Sequence, residues 1–490
     1  MRHAGTGTAC GATSRIACEE FRKFNFKLYH TGSSQLSGKL KAVRRLAWFS
    51  PIPPSTSGIA AYSAELLPLL VARGHSIDTF TESDAADFVW KHRRRPYDLT
   101  VFQMGNAQCH DYMWAYLFRY PGLAVLHDAQ LHQARALFLT KRWKPRREDY
   151  LAELRANHPE APEDAGELVA AGLGGSLYHH WPLVRLVIES SRLSVVHNAR
   201  LRDALRDTHP RAKVAAIEMG VRDPIAGGPV ASEDASVLRL RTAVRSRLGL
   251  PVDAILLTAF GGITPEKRIG PLIRALSAVV ERHPRLHFML VGSAATHYDV
   301  LEDAARWGVA DRVHVTGFVS DDELPSYLRA SDMCACLRWP TNRETSASWL
   351  RCIAAGRVTI TTDLAHLADI PTLDPRGWRA LDTITPKRDP VAISIDLLDE
   401  EHSLQLALER LATDTSLRER IGRAARSWYD NHHRLGPMAD AYADLIGTAI
   451  ASPAPRVTLP PHLADDGSRD AIALAHRVGV GDRVANLFAD

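Results

Sequence analysis

Short apolar runs recur along most of the chain, each four to seven residues long and closed by glycine, proline or polar residues. They are Leu46–Phe49, Ile77–Phe80, Leu99–Met104, Leu123–Leu126, Leu193–Val196 and Val214–Glu218. After a gap come Ala254–Phe260, Leu286–Val291, Val313–Thr316, Met333–Leu337 and Val358–Thr361. None alternates strictly between apolar and polar, so each reads as a strand covered on both faces, as parallel sheets require. Amphipathic segments lie between them. Ile59 to Arg73 has helical spacing and Gly74 as its stop, and Gly270 to His283 repeats the pattern. Strand, glycine-bearing loop, helix, strand is the opening of a parallel α/β sheet.

The run Asp223–Val230 is rich in Gly and Pro, and the alternation restarts after it. The chain therefore reads as two successive α/β domains, 45–222 and 223–436. Residues 140–182 are charged and glycine-bearing, and read as an irregular helical insertion over the cleft. A polar helix over Ser403–Tyr429 closes the second domain. A helix over 437–452 crosses back to the first. Residues 453–490 form a tail for which the sequence specifies no structure, and 1–44 read as a disordered extension or a misread start.

The chain has 490 residues, too many for one ordinary core. A net charge of +4 gives no argument for nucleic acid. No apolar run approaches the ~20 residues that span a bilayer, and the first residues lack a secretory apolar core. The six cysteines show no Cys-x-x-Cys spacing, which speaks against a zinc site or a disulfide framework. A cytoplasmic setting fits.

Open parallel sheets bind ligands beyond the carboxyl ends of their strands. Gly58, after the first strand and before a helix, suits an anion or sugar hydroxyl, or is a plain tight turn. Gly261-Gly262-Ile-Thr-Pro-Glu-Lys267-Arg268 combines close backbone approach with two cations, suiting a diphosphate leaving group, or is a solvated charged turn. It has neither P-loop nor Gly-x-Gly-x-x-Gly spacing. His127-Asp128 follows a strand and suits hydroxyl binding or proton movement, or is a packed cap. His132 and His197 are weaker candidates of the same kind. Glu344 precedes a helix that begins at Thr345 and Ser346, suiting sugar hydroxyls beside phosphate, or is a helix-terminal charge. Asp321-Asp322 reads as a solvated turn rather than a metal pair. Lys141–Arg147, basic with one aromatic, reads as a solvated face or as a contact with anionic lipid.

Taken in order, these segments resemble the retaining family 4 glycosyltransferases of the GT-B fold, across about residues 45 to 450. The resemblance is carried by Pro51–Ser63, Arg73-Gly-His75, Gly105-Asn106, Leu126-His127-Asp128 and Glu218-Met-Gly220-Val221. It continues through Phe260–Lys267, Leu290-Val-Gly292, Val315–Val319, Leu337–Ser346 and Ala354-Ala-Gly356. It implies two Rossmann-like domains facing a cleft and transfer from a nucleotide sugar with retention. No cofactor or obligatory metal is implied. The acceptor would be a glycan, a lipid-linked sugar or a small molecule, with peripheral membrane contact in the lipid case. Lys267 would neutralise the diphosphate, Glu344 hold the donor sugar, Thr345 and Ser346 present N–H groups, and His127 sit beside the reacting sugar. Gly58 and Gly292 would line the cleft, and Phe318 the base. The chain departs from the family at Gly262, where an Arg is usual, leaving Arg268 as a substitute. It departs at Arg343, where a Gly is usual, and at Arg351 or Cys352, where a second Glu is usual. Those departures motivate one alternative, a GT-B protein that binds a sugar or partner without turnover. A third reading, an epimerase or hydrolase, needs a water-activating set that the sequence does not display.

Overall fold

A computed structural model describes residues 43–142, 146–225, 235–251, 253–295, 298–364, 369–381, 388–465 and 467–481. The expected extension and most of the 223–230 linker lie outside these residues.

Two sheets organise the chain. The first contains β1 (Arg45–Phe49), β2 (Ser76–Phe80), β3 (Leu99–Met104), β4 (Leu123–Leu126), β5 (Leu193–Val196) and β6 (Val214–Ala216). Its order is β2-β1-β3-β4-β5-β6, and every pairing is parallel. The second contains β7 (Ile255–Phe260), β8 (Leu286–Val291), β9 (Val313–Val315), β10 (Met333–Cys336), β11 (Val358–Thr362), β12 (Thr372–Asp374), β13 (Arg379–Ala380) and β14 (Ala392–Ile395). Its order is β13-β12-β14-β11-β10-β7-β8-β9, parallel except where β13 meets β12. Every residue of β3, β7 and β8 is buried, because helices cover both faces.

Helix Gly58–Ala72 begins at Ser57, whose side chain accepts from Ile59 N, and ends before Gly74 at φ +91°. The predicted single helix over Ser403–Tyr429 is two helices, Glu400–Thr413 and Thr415–His432. Asp414 breaks it: its side chain accepts from Leu417 N at 2.9 Å and starts a new helix instead of continuing the old one. Strands β12 to β14 were absent from the sequence reading, being short and interleaved with charge.

Helix Leu435–Ala451 leaves the second half and packs on the first. Tyr442 of this helix meets Tyr62, the two hydroxyls 2.6 Å apart. Leu46, Trp48, Trp349, Ile353, Tyr442 and Ile446 share one apolar cluster, so a common core ties the two halves together. The insertion carries helices Arg147–Asn157, Glu163–Ala170 and Leu177–His180. The tail returns to this insertion: Val457, Leu459 and Leu463 pack on the first core, and His462 Nε2 lies 2.8 Å from Glu153 Oε1. Among the described residues no helix is long and apolar enough to cross a membrane.

Candidate active site

The loop after β7 turns back on itself. Gly261 has φ +86°, and a Cβ there would sit 2.8 Å from Lys267 Nζ. At the end of β8, a Cβ on Gly292 would sit 2.3 Å from Gly261 O. Gly261 is required by its left-handed backbone and Gly292 by contact with the Gly261 carbonyl. The Lys267 ammonium donates to Phe260 O. Burial, then the charge of Arg338, lower the Lys267 pKa to about 8. A lysine so placed is a desolvated cation awaiting an anion.

The segment after β10 supplies the facing wall. Arg338 Nε lies 2.6 Å from Glu344 Oε1. The other Glu344 oxygen accepts from Thr341 Oγ1 at 3.0 Å and Asn342 N at 2.8 Å. Both carboxylate oxygens are thus oriented before any ligand arrives. Arg343, where the resembled family favours glycine, has φ +59°, a left-handed backbone that explains the preference. Ser346 caps helix Ala347–Ala354, accepting from Trp349 N at 3.2 Å. Lys267, Arg338, Glu344, Thr345, Ser346 and Ser348 line one cavity of about 620 Å³. Two cations and a helix N-terminus converge there, and both favour phosphate. The Thr345 hydroxyl is buried and unpartnered among the described residues.

The first sheet forms the opposite wall with His197, Asn198, Arg200 and Glu218. His197 Nδ1 meets Ile217 O at 3.2 Å, and burial holds its pKa near 4, so the ring is neutral. Arg200 reaches across to Asp369 at 2.9 Å. The loops after β4 and β10 touch, Ala129 N donating to Asn342 O at 2.8 Å. There Asp128 accepts from Asn106 N at 2.7 Å. Burial raises Asp128 to about 6; the Asn106 bond opposes this and the Glu344 charge adds to it. An acid whose folded pKa lies above its unfolded value loses stability as pH rises between the two, here from about 4 to 6. Asp128→Asn should therefore stabilise the protein at pH 7 by about 1–3 kcal/mol, measured by urea unfolding, with the gain vanishing near pH 4.

The cavity gathers Lys267, Glu344, Thr345 and Ser346 but not every predicted residue. His127 lies beside it, Nε2 2.7 Å from Gln103 Oε1 and its ring 4.7 Å from Tyr62 and 5.0 Å from His197. Burial, then His197 and His110, push its pKa well down, so it too is neutral. Arg268 does not replace the missing arginine: its guanidinium is held by Glu400, with Nε 2.7 Å from Oε1, and it lies outside the lining. A cation that does line the cavity is Arg338, which follows β10 and which no sequence signal singled out. Gly58 and Gly262 are exposed with open space above them. Phe318 is 69% exposed. None of the three lines the cavity. Of the two positions standing for the second glutamate, Cys352 is fully buried. Arg351 faces the first half, 3.2 Å from Glu65 and 3.6 Å from Asp321. His132 is buried away from the site, Nε2 2.8 Å from Tyr150 OH. In the basic segment, Arg142 pairs with Asp111 at 3.2 Å and Arg146 with Asp149 at 3.4 Å; Trp143 to Pro145 lie outside the described residues. Trp428 and His433, far along the chain, also line the cavity and had no local signal.

Two mainly parallel sheets, each wrapped in helices, with a cation-lined cavity between them and a helix crossing back, define the GT-B fold. Solved structures agree. Sucrose-phosphate synthase from Thermosynechococcus elongatus superposes with a TM-score of 0.56, 14% identical, over 84% of this chain and 100% of that one. Anabaena HepE in complex with UDP and glucose gives 0.54, 15% identical, over 83% and 100%. Within that fold, residues 254–394 match the family described as glycosyl transferases group 1. A D-inositol 3-phosphate glycosyltransferase of Streptomyces avermitilis is 28% identical over 194 residues. The match spans 38% of this chain and only 38% of the relative's own length.

Proposed function

We propose that the protein transfers a sugar from a nucleoside diphosphate donor to a hydroxyl of an acceptor, with retention and without an obligatory metal. The observation that carries this reading is the meeting of Lys267, Arg338 and the N-terminus of helix Ala347–Ala354 in one cavity with Glu344. The diphosphate sits against the two cations and the helix N-terminus, which stabilise it increasingly as the glycosidic bond breaks. Glu344, pre-oriented by Arg338, Thr341 and Asn342, accepts donor-sugar hydroxyls. With both oxygens engaged it orients rather than attacks. A phosphate oxygen of the departing diphosphate takes the acceptor's proton, so departure and attack share one face and the configuration is kept. The donor base is uracil, by analogy with the UDP held by HepE. The acceptor is a glycan, a lipid-linked sugar or a small polyol. The alternative of binding without turnover rests on Arg351, whose pairing with Glu65 puts a cation where the resembled family has a ribose-binding carboxylate.

The test is incubation with UDP-sugars and a panel of acceptors in EDTA, with the anomeric product read by NMR. An α-linked product from an α-linked donor supports the reading. An inverted product, or loss of turnover in EDTA, overturns retention or metal independence. Tight UDP binding with neither transfer nor hydrolysis favours the non-catalytic alternative. Glu344→Gln should lower turnover about 100-fold without weakening UDP binding, since it weakens the hold on the sugar hydroxyls while releasing Arg338 from its ion pair.

A further inference from the structure

Three of the four free thiols among the described residues meet at one place. Cys334 and Cys336 are two apart on β10, so their side chains share a face. Helix Ala347–Ala354 lies over that face and brings Cys352 down onto it, with Sγ 4.0 Å from Cys336 Sγ. Cys352 is fully buried, and burial raises its thiol pKa well above the ordinary value. Cys336 differs in being half-buried and lining the cavity, so a small solute in the cavity reaches it. Lys267 stands close enough for its charge to interact with both sulfurs. Thiol oxidation proceeds through the thiolate, which a neighbouring cation favours.

We propose that Cys336 and Cys352 form an oxidation site at which hydrogen peroxide creates a disulfide that switches off donor binding. In the first step the Cys336 sulfur attacks the peroxide oxygen, the O–O bond breaks and hydroxide leaves with a proton as water, giving a sulfenic acid. In the second the Cys352 sulfur attacks that sulfur, its proton leaves with the displaced hydroxyl as a second water, and the S–S bond forms. Two thiols and one peroxide give one disulfide and two waters. A protein kept in a reducing compartment uses such a bond transiently, as a sensor.

The consequence follows from what the two cysteines carry. The sulfurs must close from 4.0 Å to about 2.05 Å. The end of β10 and the helix must absorb the movement. Arg338 is two residues beyond Cys336, and the same helix presents Ser346 and Ser348 to the cavity. A displacement of about 1 Å in such groups is enough to cost orders of magnitude in a positioned site.

The effect on donor binding rests on the proposed function; the cross-link itself does not. The full-length protein is reduced, treated with hydrogen peroxide and digested with trypsin without reductant. Peptides 330–338 and 352–357 should be joined with loss of two hydrogens. UDP affinity, measured by calorimetry, should fall at least about tenfold and return with dithiothreitol. Cys352→Ala should keep UDP affinity and lose the peroxide sensitivity, whereas Cys334→Ala should keep the cross-link. Cys336 oxidised to sulfinic acid with no cross-link overturns the site. A cross-link that leaves UDP affinity unchanged overturns the switch. Reduced protein that binds no UDP brings down the proposed donor, and the peptide mass still decides the cross-link.

Discussion

Replacing Lys267 with methionine should remove nucleotide binding and make the unliganded protein more stable. The two effects share one cause. Burial pulls the folded pKa to about 8, against an ordinary value of 10.5, so at neutral pH the ammonium is held where burial penalises its charge. Linkage gives the sign. Between pH 8 and 10.5 the unfolded chain binds more protons than the folded one, so stability rises with pH across that window. Below it the full penalty is present, about 3 kcal/mol by the size of the shift. Methionine keeps the length and removes the charge. A gain of about 1–3 kcal/mol in urea unfolding at pH 7 is expected. UDP affinity should fall at least about 100-fold, or about 2.7 kcal/mol. Wild-type UDP affinity should be flat below pH 8 and weaken above it, because the ligand needs the proton that the buried lysine gives up. A variant that binds UDP within threefold of wild type would remove Lys267 from the phosphate site. A variant less stable than wild type would mean that its bond to Phe260 O matters more than the burial of its charge.

Much of this was legible in the residues. Ten of the eleven apolar runs are the strands to within a single residue at one end or none, because a parallel strand buried on both faces leaves an uninterrupted apolar signature. The strand-end rule then led to Lys267, Glu344, Thr345 and Ser346, which do share a cavity. Direction was not legible. Lys267 and Arg268 are adjacent, yet one turns inward and the other is drawn to Glu400, 132 positions away. Charge spacing cannot tell these apart, since the answer lies in which distant helix passes nearby. His127 was expected beside the reacting sugar; Gln103 and its aromatic neighbours hold it beside the cavity. The departures from the family pattern became physical once placed. Arg343 is strained where glycine would not be, and Arg351 has a cross-cleft partner in Glu65. The docking of the tail gave no signal, because it is made by one histidine, His462, and three apolar residues set on a surface already built.

That contact leads to the largest stability effect expected in the molecule. Glu153 has no exposed side-chain surface, and its partner Arg135 is 4% exposed. The guanidinium approaches both carboxylate oxygens, with Nε 2.8 Å from Oε2, and lies over Trp114 at 4.6 Å. His462 of the tail then adds Nε2 at 2.8 Å from Oε1, while its Nδ1 sits 3.5 Å from Asp149. Burial alone would raise the Glu153 pKa, but the charge and bonds of Arg135, then those of His462, outweigh it and leave the pKa lowered. The carboxylate therefore contributes stability above its unfolded pKa and loses it as pH falls through the folded one. Glu153→Ala strands a buried guanidinium among aromatic rings and should cost about 3–5 kcal/mol. His462→Ala leaves the Arg135 pair intact and should cost about 1–2 kcal/mol. The decisive comparison is Arg135→Met with Glu153→Leu, which replaces the pair by apolar volume beside Trp114 and Phe138. If the single substitution is costly because it leaves a charge unpaired, the double one should recover most of the loss in urea unfolding at pH 7. If the double variant is as unstable as the single, the carboxylate instead anchors the tail through His462. Removing residues 453–490 should then destabilise the wild-type protein by the same amount and leave the double variant unaffected.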